Sequence, residues 1–225
     1  MADERTTRGA GVVNRTLIVL CCLVFLWQTL SRPWGALAAG ALGFTPGPFF
    51  SGGSSDPLLA WVPFSITPVT YLFLHAGFLH LAGNLLCLWI FGDDVEEAFG
   101  KPGFLVFFLG CGIAAALTQA AVEPMSQVPV VGASGAVSGV LGAYLLLHAR
   151  AKLRVSVPIF IVFDLVRLPA WVVLVFWFGV QLAYDLAGPA AGGSIAFRAH
   201  IGGFIAGLLL TPVFRLIGRR QPLPA

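Results

Sequence analysis

The sequence predicts an all-α polytopic membrane protein, a bundle of six transmembrane helices with a long extracytoplasmic loop between helices 1 and 2. Composition is the first reason: 58% of the 225 residues are hydrophobic and only 10% charged, with a mean hydropathy of +0.90. A soluble domain carries roughly 25% charged residues. The second is that six segments, 15–33, 70–92, 102–123, 132–149, 169–188 and 196–217, approach the ~20 apolar residues a spanning helix needs. The third is the distribution of Lys and Arg about those segments, which sets orientation. With a cytoplasmic N-terminus, Arg5, Arg8, Arg15, Lys101, Arg150, Lys152, Arg154, Arg167, Arg215, Arg219 and Arg220 lie inside, and only Arg32 and Arg198 outside. Both termini are therefore expected in the cytoplasm.

Taken in order, the first span runs into Pro33-Trp34. The following "ALAAGA" could be read as a signal-peptidase site, but the apolar run is long, and an uncleaved helix is preferred. The outside segment 35–68 is too rich in Gly and Pro for one helix. Its aromatics, with Trp34, Phe49, Phe50, Trp61 and Phe64, suit an ordered element at the headgroup boundary. Between spans four and five, "VSVPIFIVFDLV" (155–166) contains Pro158 and Asp164 and is too short to cross; it is expected to lie against the bundle at one interface. "GDDVEEAFG" (92–100) reads as a solvated cytoplasmic turn. No repeat of 20–50 residues is present, which argues against a solenoid or an inverted-repeat transporter. The whole chain, 1–225, reads as a single membrane domain with short tails at about 1–14 and 218–225.

Cys21, Cys22, Cys87 and Cys111 all sit in apolar runs. With no C-x-x-C or Cys/His metal spacing, they read as small buried thiols.

Polar groups within the membrane are costly and mark function by default. Ser134 begins the fourth span, His200 lies about one turn into the sixth, and His80 and Asn84 occupy the outer half of the second. All four share one depth. His80 and Asn84 are i,i+4 and share a helix face, whereas His75 is turned away and reads as a loop-ordering residue. His148 lies about 21 Å from Ser134 along a helix and reads as interfacial. Gly135, Gly139 and Gly142 on the fourth span, and Gly203 and Gly207 on the sixth, form small-residue faces that allow backbones to approach.

This set suits acyl transfer. A serine hydroxyl needs a base within hydrogen-bond reach, which His200 supplies as a neutral imidazole. The His80 imidazole, the Asn84 carboxamide and the Ser134 N–H could stabilise the oxyanion. No acidic residue is placed to orient His200. Asp185, near the outer end of span five, is the only nearby acid, so a Ser/His dyad is expected rather than a triad.

These residues resemble the rhomboid family of intramembrane serine proteases. "GASG" (132–135) is similar to the family's G-x-S-G nucleophile motif, "HAGFLHLAGN" (75–84) to its H-x-x-x-x-H-x-x-x-N element, and "AHIGGFIAG" (199–207) to its A-H-x-x-G-x-x-x-G helix. The resemblance covers nearly the whole chain. It implies that Ser134 is the nucleophile and His200 the base, with His80 and Asn84 oxyanion contributors. It further implies that transmembrane helices of other proteins are the substrates, cut near the outer surface of the bilayer, and that no metal or organic cofactor takes part. Glu96 follows Gly92 at a spacing similar to the family's, which implies a structural hydrogen bond at Glu96. Two positions depart from the pattern. Ile66-Thr67 stand where many members have Trp-Arg, and Ser138 stands where some have a Tyr stacked on the histidine.

The rival readings are a catalytically silent rhomboid-like protein that binds membrane helices, and a transporter or channel. The first would be expected to lack the serine or histidine, and the second would need polar groups along a continuous path. A zinc protease is disfavoured because H-E-x-x-H is absent. No nucleic-acid partner is expected, and no oligomeric state is implied. An Arg-, Ala- and Gly-rich text suits a GC-rich bacterium, which places the chain in a bacterial plasma membrane.

Overall fold

Apolar runs become helices near the expected positions, with ends set by the backbone rather than by hydropathy. The computed structural model describes residues 11–31, 34–53, 62–159, 162–187 and 196–218. Trp61, Arg5, Arg8, Arg32, Arg219, Arg220 and most of both expected tails lie outside the described residues, as does the side chain of Trp34.

Helix α1 (Val12–Leu30) is followed by two short helices, α2 (Trp34–Leu42) and α3 (Pro46–Ser51). Phe44 pairs with Val130 through two backbone hydrogen bonds, and Gly47 N–H donates to Ser126 O, which ties this segment to the loop before residue 134. Within it, Phe49 packs on Phe44 at 5.2 Å. Phe64 is buried, whereas Phe50 is exposed.

The second span begins later than hydropathy suggests. Residues 64–73 form short helical turns, including α4 (Thr67–Thr70). Leu74 is extended, and the chain re-enters a helix only after Gly77. From there α5 (Phe78–Cys87), a π turn (Leu88–Gly92) and α6 (Asp93–Phe99) make one span, Phe78–Phe99. The stretch expected as a solvated turn is thus helical, and it has a structural task. The Glu96 carboxylate is buried and accepts from the N–H groups of Val13 (3.1 Å) and Asn14 (2.7 Å). These are first-turn donors of α1, which have no helical partner of their own. Asn14 Nδ2 donates in turn to Leu88 O and Asp93 Oδ1.

Helix α7 (Lys101–Val122) leads to α8 (Ser134–His148), then to an antiparallel hairpin of β1 (Lys152–Ile159) and β2 (Val162–Pro169), then to α9 (Ala170–Ala187) and α10 (Phe197–Gly218). The piece at 155–166 expected to be too short to cross falls within this hairpin, whose register runs from Lys152↔Pro169 to Ile159↔Val162. Exposed Lys152 and Arg154 alternate with half-buried Leu153 and Val155, the period-two pattern of a strand. The mixed charged and apolar text hid that alternation from a search for spans.

Five helices among the described residues are long and apolar enough to cross a membrane: α1, Phe78–Phe99, α7, α9 and α10. Helix α8 has 15 residues, about 22 Å against a hydrocarbon core of about 30 Å. At least one of its ends therefore lies below a membrane surface. This helix is the centre of the bundle, with every residue from Gly135 to Tyr144 buried. A Cβ on Gly203 would strike the Gly135 carbonyl, and one on Gly207 the Gly139 carbonyl. Helices α8 and α10 thus meet backbone to backbone along the glycine faces. Of the cysteines, Cys21 and Cys111 are buried and Cys87 is half-buried, but Cys22 is exposed on the flank of α1.

Candidate active site

The loop that enters α8 needs glycine at one position. Gly132 has φ +117°, and a Cβ there would run into the His80 ring, 2.7 Å from Nε2. Its N–H donates to Tyr71 O at 2.9 Å, and the Tyr71 hydroxyl donates to Gly112 O at 2.7 Å. The loop is therefore pinned from two sides. Ala133 is the N-cap and supplies no side-chain acceptor, so the first N–H groups of α8, starting at Ser134, lack a helical partner. Ser138 donates its hydroxyl to Ser134 O at 2.6 Å; it serves the helix, and a serine has no ring to stack on an imidazole.

His200 lies in the first turn of α10. Its Nε2 is 2.8 Å from Ser134 Oγ, across 66 residues of sequence. Its Nδ1 is 2.8 Å from Gln181 Oε1 on α9. The Trp177 and Phe197 rings flank the imidazole, each with its centroid at 6.3 Å. Asp185, the one acid near His200 in the sequence reading, is not the hydrogen-bond partner of the imidazole. It accepts from Arg198 Nε at 2.8 Å, and Arg198 Nη1 donates to Glu123 at 2.8 Å. Gln119 Nε2 reaches Glu123 at 3.1 Å. This chain of polar contacts links the ends of α7, α9 and α10 around the site.

His80 and Asn84 stand on α5, one turn apart. The Ala76 N–H donates to His80 Nδ1 over a long 3.5 Å, and the ring lies over Gly132, two residues before Ser134. Asn84 is buried, and its Nδ2 has no hydrogen-bond partner among the described residues. Neither residue is hydrogen-bonded to Ser134 among the described residues. His75 orders the loop: its N–H donates to Gln28 Oε1 at 3.0 Å, and its ring meets that of His80 at 5.4 Å. His148 is at the far end of α8, 5.0 Å from the Tyr144 ring. A shallow cavity of about 440 Å³ lined by residues 146–151 is at that same far end, remote from Ser134.

The sequence reading missed Gln181, Arg198 and Glu123. A signal for the first was present. Trp177, Gln181 and Asp185 recur at i, i+4 and i+8 on α9, so a stripe of one helix face carries an aromatic, an amide and an acid in a span that is otherwise apolar.

A family model for the Rhomboid domain matches residues 65–216. The chain belongs to the rhomboid family. Among the curated relatives of this rhomboid is "Rhomboid protein 1, mitochondrial" of Saccharomyces cerevisiae, 32% identical over 66% of this chain and 42% of its own. Rhomboid protease AarA of Providencia stuartii is 25% identical over 96% of this chain and 77% of its own. Rhomboid protease GluP of Bacillus subtilis is 41% identical, over 36% of this chain and 15% of its own. The rhomboid described here thus spans about two fifths of the length of the yeast relative, and a small part of GluP. It is an integral, multi-pass membrane protein.

Proposed function

We propose that this rhomboid is an intramembrane serine endopeptidase that cuts transmembrane helices of other proteins near the extracytoplasmic side. The observation that carries the reading is the 2.8 Å approach of Ser134 Oγ to His200 Nε2, made by two helices packed glycine to glycine. A packing serine has no need of an imidazole at hydrogen-bond distance. A nucleophile does.

The steps follow from the geometry. Ser134 Oγ attacks the scissile carbonyl carbon while its proton passes to His200 Nε2. The negative charge that develops on the carbonyl oxygen meets the unpartnered N–H groups at the start of α8, the positive end of that helix. Asn84 Nδ2, buried without an acceptor, and His80, lying over Gly132, add donors on the facing side. As the C–N bond breaks, the imidazolium returns its proton to the leaving amine, and an acyl-serine remains. Water then adds to the acyl carbon, giving a proton to His200, and Ser134 leaves as its hydroxyl is restored. A substrate helix must unwind locally to offer its carbonyl, so small or helix-breaking residues near the cut lower the cost.

The same proposal covers the whole chain as one membrane domain, with both termini in the cytoplasm of a bacterium and the site toward the outer side of its plasma membrane. Charge asymmetry supports that orientation. The helix-binding alternative loses ground because this chain keeps both Ser134 and His200.

The test is covalent labelling of the purified protein in lipid with a serine-reactive fluorophosphonate, located by mass spectrometry. Labelling at Ser134 that vanishes in Ser134→Ala and His200→Ala is expected. A folded wild type that stays unlabelled, and that also leaves a reporter membrane substrate intact, would overturn the proposal.

A further inference from the structure

From the contact between α9 and α10 we infer that Gln181 is a positioning residue for the reaction: its side-chain oxygen holds the proton of His200 on Nδ1, so that Nε2 faces Ser134 as an acceptor. The inference rests on the endopeptidase reading for its consequence, but on its own geometry for its content. A neutral imidazole carries one proton on either nitrogen, and its neighbours decide which. An amide oxygen only accepts. With Gln181 Oε1 at 2.8 Å from Nδ1, Nδ1 must be the donor, and Nε2 presents its lone pair to the Ser134 hydroxyl at 2.8 Å. In the other tautomer two lone pairs would face one another at Nδ1, and a proton would block Nε2 from accepting.

The surroundings explain why an amide holds this place. Asp185 is one turn further along α9, and its carboxylate is already engaged by Arg198. A carboxylate at position 181 itself would stand deeper in an apolar span, where charge is costly. An amide supplies the acceptor without the charge. The Trp177 ring, one turn before Gln181 and 6.3 Å from the imidazole centroid, restricts the ring further. The aromatic position that Ser138 leaves vacant is thereby answered from α9 rather than from α8.

The experiment uses the full chain in lipid nanodiscs and compares wild type, Gln181→Leu and Gln181→Glu. Two readouts are taken: the fluorophosphonate labelling rate of Ser134 against pH and probe concentration, and the ¹⁵N shifts of the His200 ring. Gln181→Leu is expected to slow labelling about ten- to hundredfold, with the probe concentration for half-maximal rate unchanged and the Nδ1–H signature lost. Gln181→Glu restores an acceptor and is expected to recover the rate to within a few-fold. Its carboxylate favours the imidazolium, so the acid limb of the pH profile moves to higher pH. A Gln181→Leu protein with wild-type rate and wild-type ring shifts would overturn the inference. So would a Gln181→Glu protein as slow as Gln181→Leu, which would mean that packing and not hydrogen bonding matters. If Gln181→Leu does not fold, an unmoved acid limb in Gln181→Glu overturns it equally. If wild type fails to label yet shows Nδ1–H, the endopeptidase reading falls while the positioning by Gln181 stands. Nε2–H in wild type refutes the positioning whatever the labelling shows.

Discussion

A single methyl group added at Gly203 tests whether backbone contact between α8 and α10 sets the Ser134–His200 distance. In Gly203→Ala the new Cβ would stand 2.8 Å from the Gly135 carbonyl carbon, and nearer still to its oxygen. Backbone atoms cannot rotate away, and carbon pairs settle at 3.5–4.0 Å, so the helices must part by about 1 Å. His200 is three residues from Gly203, about 4.5 Å along the axis. A rigid helix carries the displacement to it almost undiminished. The 2.8 Å approach of His200 to Ser134 then opens to about 3.8 Å, outside hydrogen-bond range. Misplacement by 1 Å is enough to lower a rate by about a hundredfold. Overpacking costs about 1–3 kcal/mol, and the better helix propensity of Ala returns up to about 1 kcal/mol. The fold should therefore lose only a few degrees of thermal midpoint while the chemistry nearly stops. Labelling rate and thermal unfolding, both in lipid nanodiscs, measure the two effects side by side. Gly179→Ala is the control, because nothing lies within 4 Å of a Cβ there; it should match wild type in rate. A Gly203→Ala protein that labels within a few-fold of wild type would refute the reasoning.

Glu96→Ala removes the acceptor for two first-turn N–H groups of α1, at about 2–4 kcal/mol. Glu96→Gln keeps one acceptor oxygen and should lose about half as much, read from thermal midpoints and from faster amide exchange at Val13 and Asn14. His75, in the loop outside the spans, has its pKa pushed down to about 4, first by burial and then by the neighbouring His80. The unfolded chain takes up that proton near pH 6.5, before the folded protein does. Stability is therefore expected to fall as pH drops from about 6.5 toward 4, by on the order of 3 kcal/mol, and His75→Gln should flatten the decline. An unfolding midpoint with the same pH dependence in both proteins would contradict this.

Several features were legible without coordinates because their cause is local. Lipid selects long apolar runs and excludes charge, so spans appear as composition along the chain. Glycine faces recur at helical spacing, and a serine and a histidine that must share a depth can be placed by counting residues along each helix. What local text does not carry is which side chains meet across different helices. The partner of His200 is Gln181 rather than the acid Asp185, since the rotation of α9 about its own axis is set by packing. A structural hydrogen bond at Glu96 is expected from the sequence, but its partners, the open N–H groups of Val13 and Asn14, appear only once α1 is brought against α6. The hairpin at 152–169 depends on pairing between two strands, and its apolar stretch read alone says only that it is too short to cross. Sequence by itself thus determined a bundle of membrane helices and the serine and histidine that meet within it. Only the tertiary structure decided which atoms lie 2.8 Å apart, because that distance is the sum of many non-local contacts between close-packed helices.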